Sequence, residues 1–134
     1  MIAVYLAHPL SAPTVYGIEQ NRKRAAEWAK WLHGHGFAVE CSWITLTGVI
    51  EETPENRARG LRADCELVSR CDVMVLCGPR VSSGMLQEAA YAKMLIDFTH
   101  LALDYPVLAS GAALDWQEGQ PTTLEAILER SRNV

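Results

Sequence analysis

The chain has 134 residues, of which 49% are hydrophobic and 21% are charged, and a formal net charge of −4 at pH 7. This length and composition suit a single globular domain spanning 1–134, with enough apolar side chains to cover a sheet on both faces. The acidic balance argues against a nucleic-acid polymer as the partner, because such partners select basic surfaces, and it is compatible with a small anionic ligand held by local groups.

The sequence carries no mark of export or of membrane insertion. Its amino terminus, MIAVYLAHPL, lacks a basic segment followed by a long apolar one, and no window approaches 18 uninterrupted apolar residues. The four cysteines stand singly in apolar settings, without the paired spacing of zinc sites: Cys41, Cys65, Cys71 and Cys77. We therefore predict a cytoplasmic protein with no membrane contact, whose thiols are reduced and buried and bind no metal.

The first third of the chain has the pattern of a strand, a helix and a second strand. Residues 2–8, IAVYLAH, are apolar on both faces, as a central parallel strand requires, and Pro9 ends the run. A helix over 18–33 follows, and the glycines of Gly34-His35-Gly36 end it. Residues 37–44, FAVECSWI, predict the second strand, which completes a right-handed βαβ unit.

A second helix is predicted over 54–70, because Thr53 suits the position before a helix and Pro54 its first position. Asp64 lies beside the apolar stripe of this helix. There it either pairs with a neighbouring arginine, Arg57 or Arg62, or points into a crevice.

The segment that follows places a carboxylate at a strand-to-helix junction. The run 73–77, rich in valine, predicts a buried strand, and Gly84 opens a segment of helical composition that extends to 93. Glu88 lies about one turn into that helix, at the kind of sheet edge where ligands of parallel α/β proteins gather. A glutamate there also stabilises a helix start without any chemical role, so position alone does not decide its function.

The rest of the chain predicts further alternation. Residues 96–104 suit a strand, although 94–103 also suits an extension of the preceding helix. A short strand over 105–110, a loop over 111–121 and a helix over 124–132 follow, the last one capped by Thr122 or Thr123. The sum is four or five strands alternating with four helices, a doubly wound, Rossmann-like or flavodoxin-like α/β domain with a parallel sheet.

Three segments in this order resemble motifs of the nucleoside 2-deoxyribosyltransferase superfamily. VYLAHP is similar to the tyrosine-containing first strand of that family, usually YLAGP or YFCGS. ADCELVSRCDVMVL is similar to its helical carboxylate and third strand, and SSGMLQEAAYA to its glycine and glutamate signature. The resemblance covers residues 2–93.

The resemblance implies a role for three residues. Glu88 would be the nucleophile or the group that stabilises the anomeric carbon, Asp64 its proton-handling or orienting partner, and Tyr5 a hydroxyl placed against the sugar and the glutamate. These groups suit the cleavage of an N-glycosidic bond, since a carboxylate stabilises or captures an oxocarbenium-like sugar and a second acid helps the base to leave.

The sequence departs from the family pattern at two places. Transferases usually carry an aspartate six residues before the glutamate, and Ser82 stands there instead, as in the branch that hydrolyses nucleoside 5′-monophosphates. By this resemblance we expect Ser82, Ser83 and Gly84 to hold a phosphate. His8 and Pro9 replace a glycine and a small or polar residue, so they either add phosphate contacts or change the sugar or base that is bound. Trp43 is either a stacking surface for the base or a buried strand residue.

The expected function is therefore an N-glycosidase that acts on a nucleoside 5′-monophosphate, with a 2′-deoxynucleotide as the expected substrate, without a cofactor or metal. A deoxyribosyltransferase that exchanges bases is the enzymatic alternative. A nucleotide-binding module without turnover is the alternative of another class, and a flavodoxin-like interaction domain leaves the serine, glycine and glutamate pattern unexplained. The resemblance also implies a homo-oligomer, with Ser110 and Asn133 or the carboxyl terminus as candidates for a residue donated to a neighbouring site.

Overall fold

Five strands form one sheet in the part of the chain that this computed structural model describes, residues 1–132. The spatial order is β2-β1-β3-β4-β5. The strands β1 to β4 are parallel to one another, and β5 runs antiparallel to β4. The predicted α/β class is thereby confirmed, with a mostly parallel sheet flanked by helices. The strands are Ala3–Ala7 (β1), Ala38–Glu40 (β2), Val73–Leu76 (β3), Leu95–Asp97 (β4) and Gln120–Thr122 (β5).

The helices begin where the sequence offers a capping side chain. Thr14 Oγ1 accepts from the amide of Gly17 at 3.0 Å, so the first helix starts three residues before the predicted position. Thr53 Oγ1 accepts from the amide of Asn56 at 3.1 Å and confirms the predicted start at Pro54. The helices are Val15–Gly34 (α1), Ser42–Leu46 (α2), Pro54–Arg70 (α3), Ser83–Ala89 (α4) and Leu124–Arg132 (α5), and short 3₁₀ turns span Thr99–Leu101 and Trp116–Glu118.

The two faces of the sheet support two apolar cores. Because side chains alternate along a strand, Val4 and Leu6 of β1 pack on one face with α1, which buries Trp28 there. Tyr5 and Ala7 point to the other face, where α3, α4 and α5 cover them. The face of Tyr5 is therefore the face that also carries the helices of Asp64 and Glu88.

The second strand is shorter than the predicted 37–44, and Trp43 lies in α2 instead of a strand. Beyond Glu40 the chain leaves β1, so the carbonyl of Leu6 has no strand amide beside it. The indole N–H of Trp43 donates to that carbonyl at 3.0 Å. A side-chain donor thus replaces the missing ladder bond, which periodicity alone does not reveal.

The segment after α4 also differs from prediction. The helix ends at Ala89 instead of 93, and the predicted strand over 96–104 is reduced to β4, followed by a 3₁₀ turn. Burial of Leu95 against β3 outweighs the helical propensity of the preceding alanines.

The predicted strand over 105–110 is not formed; Val107 makes one isolated bridge to Ala113. Two indoles hold this loop on the α1 face instead, because Trp28 Nε1 donates to the carbonyl of Asp104 at 3.0 Å and Trp31 Nε1 to that of Leu114 at 2.9 Å. The edge strand β5 overlaps the end of the predicted loop 111–121 and includes Thr122, one of the two predicted caps of the last helix.

Candidate active site

The site lies at the carboxyl ends of β1 and β3, the two neighbouring strands in the middle of the sheet. The chain leaves β1 toward β2 by way of α1 on one face, and leaves β3 toward β4 by way of α4 on the other. Open α/β sheets bind their ligands at such a reversal of direction, in a crevice outside the carboxyl ends of the two strands, and we call this position the β1/β3 crevice. Tyr5 and His8 come from the β1 side of the crevice, and α4 follows the β3 side.

Tyr5 and Glu88 form a buried pair at this crevice. The tyrosine hydroxyl donates to Glu88 Oε2 at 2.5 Å, and the two residues are 1% and 8% exposed. Burial raises the pKa of Glu88 to about 7, opposed by the Tyr5 hydrogen bond and increased by the charge of Asp64. Burial and then the charge of Glu88 raise the pKa of Tyr5, so this hydroxyl stays protonated and acts as a donor.

Asp64 is half-buried on α3 and acts electrostatically on both members of the pair. Burial, and then the charge of Glu40, raise its pKa to about 6. Its alternative role as an arginine partner is not realised within residues 1–132, where Arg57 pairs with Glu52 at 2.7 Å and no arginine lies within 4 Å of Asp64. Asp64 thus belongs to the crevice side of α3.

Glu40 is an acidic neighbour that the sequence analysis missed. It ends β2 in register with Tyr5 of β1, and its Oε1 accepts from the amide of Ser42 at 3.0 Å. The sequence did contain a signal that could have identified Glu40, because it is a glutamate in an otherwise apolar strand, directly before a polar break. Glu40, Asp64 and Glu88 give this side of the crevice a concentrated negative potential, although among the described residues no three metal-ligating side chains are arranged to hold an ion.

The predicted phosphate contacts lie at the start of α4. Ser82 Oγ accepts from the amide of Met85 at 3.3 Å, so this hydroxyl caps the helix and keeps its own proton free to donate. Ser83 is exposed and Gly84 is half-buried. The helix has only seven residues, so its dipole is a weak source of anion binding.

His8 and Pro9 are buried at the end of β1 instead of lying open to solvent. His8 Nδ1 donates to the carbonyl of Pro9 at 2.6 Å, and a Cβ atom on Gly78 would lie 2.9 Å from the imidazole. The pKa of His8 is lowered to about 4, mainly by burial and also by the charges of Arg24 and Arg80, against the opposing bond to Pro9 and the charge of Asp104. The ring is therefore neutral at physiological pH.

Trp43 makes structural contacts, but it lies in α2 and not in the buried strand of its second predicted role. It is half-buried, packs against both cores and bonds to the Leu6 carbonyl. Stacking on a base stays a prediction. Ser110 is exposed in a turn, where its Oγ accepts from Ala112, and Asn133 lies outside the described residues.

Residues 2–97 match the model of a family described as a domain of unknown function, DUF7768. The chain belongs to this family. The matched part of the DUF7768 domain extends from β1 to β4 and contains Tyr5, Asp64 and Glu88. No curated protein and no solved structure matches the chain.

Three further observations complete the description of this DUF7768 domain. All four cysteines are unpaired; Cys65, Cys71 and Cys77 are buried as predicted, whereas Cys41 is half-buried. Within residues 1–132, no helix is long and apolar enough to cross a membrane. Two open surface depressions, of about 490 Å³ between α3 and α4 beside Tyr91 and of about 420 Å³ beside Trp31, are not lined by Tyr5 or Glu88.

Proposed function

We propose that this protein is an N-glycosidase that cleaves the bond between base and sugar in a nucleoside 5′-monophosphate. The observation that carries the proposal is the buried hydrogen bond between Tyr5 and Glu88 at the β1/β3 crevice, with Asp64 close enough to raise the pKa of Glu88. Perturbed carboxyl groups that face a ligand crevice are characteristic of acid and nucleophile roles.

The two carboxyl groups divide the chemistry between them. Ionised Glu88 stabilises positive charge at the anomeric carbon or forms a bond to it as the C–N bond breaks, and the electron pair of that bond goes to the base nitrogen. Protonated Asp64 supplies the proton that the leaving base takes up. Water then adds to the anomeric carbon and returns its proton to the carboxyl pair, which restores the starting state. The hydroxyl of Tyr5 donates a hydrogen bond to Glu88 and orients it during the whole reaction.

This division predicts a bell-shaped pH dependence. With pKa values of about 7 for Glu88 and about 6 for Asp64, the pair holds one proton mainly between pH 6 and 7. Because Glu88 has the higher pKa, it holds that proton in most molecules, and the reactive form, with Glu88 ionised and Asp64 protonated, is the minority arrangement of the singly protonated pair. Below that range the pair holds two protons and Glu88 cannot stabilise the sugar, and above it no proton remains for the base. Activity is therefore highest near pH 6 to 7.

The test is chromatographic detection of free base after incubation with nucleosides and their 5′-monophosphates, in ribo and deoxy forms. Wild type releases base from monophosphates, Glu88→Ala releases at least about a thousandfold less, and Glu66→Ala, which removes an exposed glutamate of α3, behaves as wild type. Release of base by Glu88→Ala at the wild-type rate would contradict the proposal.

Two alternatives are separated in the same assay. A deoxyribosyltransferase uses the same tyrosine and glutamate, but it forms an exchanged nucleoside when a second free base is added. A binding module without turnover is favoured by the bulk of buried His8 at the strand end. It would bind nucleotide and release no base, and Glu88→Gln would leave that affinity nearly unchanged.

A further inference from the structure

Two buried polar atoms near the end of β1 have no hydrogen-bond partner within residues 1–132, His8 Nε2 and Arg24 Nε. One is an acceptor and the other a donor, because His8 gives its single ring proton to the Pro9 carbonyl through Nδ1. Leaving such a group unpaired is unfavourable, and buried polar atoms of native proteins are nearly always paired. The missing partners are therefore expected to come from outside the chain.

The imidazole is held in place by its surroundings. Gly78 has a φ of +97°, and any Cβ there would lie 2.9 Å from Nε2 and 3.0 Å from Pro9 Cδ. The strand end thus accepts the imidazole only because a glycine stands opposite it. The histidine therefore requires a glycine with a constrained backbone conformation, although its side chain makes only one hydrogen bond.

The two cations that act on His8 have no carboxylate partner. Arg24 and Arg80 both act on His8, yet neither guanidinium lies within 4 Å of a carboxylate in the described chain, whereas Arg22, Arg57 and Arg130 each do. Asp104 opposes them only through space. An anion is the natural complement of two such arginines.

Arg24 and the acidic residues around Tyr5 lie on opposite sides of the crevice. Tyr5 faces the α3 and α4 side of the sheet, whereas Arg24 belongs to α1 on the other side. His8 follows Tyr5 by three residues, or roughly 10 Å along an extended strand. A ligand that spans the ends of β1 and β3 meets carboxylates at one end and arginines at the other.

We infer that His8, Arg24 and Arg80 form an anion subsite that holds the phosphate of the substrate, in place of the start of α4. The inference rests on the proposed function for the identity of that substrate. Arg24 Nε donates to a phosphate oxygen, Arg80 adds charge at the rim, and His8 Nε2 accepts from a hydroxyl of the bound sugar phosphate. The acidic Glu40, Asp64 and Glu88 repel the phosphate from the opposite end, so the same division of charge sets the orientation of the ligand.

Isothermal titration calorimetry of the full chain tests this without any turnover, with inorganic phosphate, 2′-deoxyribose 5-phosphate and 2′-deoxyribose as probes. Wild type binds both phosphates and prefers the sugar phosphate to the free sugar. Arg24→Gln and Arg80→Gln each weaken phosphate binding at least tenfold. Lys23→Gln, which removes an exposed cation of the same helix, leaves it unchanged. Arg80 is exposed, so Arg80→Gln is expected to fold, and its phosphate affinity can be measured even if Arg24→Gln does not fold.

Equal phosphate affinity in wild type and both arginine variants, or no phosphate binding by wild type, would overturn the subsite. If base is released from monophosphates with an unchanged KM in both variants, the subsite fails and the glycosidase proposal stands. If phosphate binding depends on Arg24 and Arg80 but no base is ever released, the subsite stands and the glycosidase proposal fails.

Discussion

At the scale of single residues, the chemistry of the site depends on how one hydroxyl and its neighbours set the protonation of Glu88. Burial alone would keep this carboxyl neutral, and the Tyr5 hydrogen bond works in the opposite direction by favouring the anion. Asp64 favours the neutral form through its charge. The position of the Glu88 pKa near 7 is the result of these opposing effects.

Replacing Tyr5 by phenylalanine removes the hydroxyl and keeps the ring that fills the core. A hydrogen bond to a charged group contributes about 1.5–3 kcal/mol, so base release at pH 7 is expected to fall roughly 10- to 100-fold. The pKa of Glu88 rises further without this bond. Because Glu88 has the higher pKa of the pair, its loss of a proton forms the alkaline limb of the pH profile, and this limb moves to higher pH. The measurement is base release from a monophosphate between pH 5 and 9.

The matched control is Tyr91→Phe, which removes a hydroxyl from a tyrosine that is 56% exposed on the surface. It is expected to leave both rate and pH profile unchanged. An unshifted alkaline limb in Tyr5→Phe would mean that Tyr5 does not influence the ionisation of Glu88.

At the scale of secondary-structure elements, the last helix closes the far edge of the sheet through one ionic cluster. Asp97 ends β4 and is 3% exposed, and Arg130 of α5 donates to its Oδ2 at 2.7 Å. Thr99 connects the two, because its hydroxyl donates to Asp97 Oδ1 at 2.5 Å and accepts from Arg130 at 2.9 Å. The antiparallel β5 brings α5 to this position.

Replacing Arg130 by methionine is expected to lower the free energy of unfolding by about 2–3 kcal/mol, because it leaves a buried carboxylate without its cationic partner. Arg70→Met, which breaks the exposed pair with Glu66, is expected to cost at most about 1 kcal/mol. Urea denaturation of both variants measures the difference. Equal losses would show that α5 does not depend on the Asp97 cluster.

At the scale of the whole molecule, the site is expected to reduce stability at the pH where it works. The pKa of Glu88 is about 7 in the folded state against an ordinary value of 4.5, so the folded chain binds more protons than the unfolded chain between these values. Stability contributed by neutral Glu88 is complete below pH 4.5 and is lost as pH rises through 7.

Glu88→Gln removes this titration and keeps a side-chain oxygen that can accept from Tyr5. Between pH 5 and pH 8, wild type is expected to lose about 2 kcal/mol more stability than the variant. Denaturation curves at the two pH values measure this, with the exposed Glu66→Gln as the control that retains the wild-type slope. A wild-type slope in Glu88→Gln would show that Glu88 titrates normally in the folded chain.

Periodicity and capping residues were enough to predict the first four strands approximately and the bounds of α3, because burial on two faces and Thr53-Pro54 leave local marks in the sequence. They were not enough for β5 or for the loop before it. The loop depends on the indoles of Trp28 and Trp31, which bond to carbonyls more than 70 residues away, and β5 depends on its pairing with β4. Such long-range bonds have no local periodicity.

The sequence by itself determined the α/β class and which carboxylates are candidates for chemistry, since residue type and the strand-to-helix order are local properties. Only the tertiary structure decided which of them meet. The parallel pairing of β1 and β3 brings Tyr5 to Glu88 across 83 positions of the chain, and the register of β1 with β2 sets Glu40 beside Tyr5. It also buries His8 against Gly78 with two unpaired arginines nearby. Proximity and burial arise from the packing of distant segments, and they set the pKa values on which the proposed function depends.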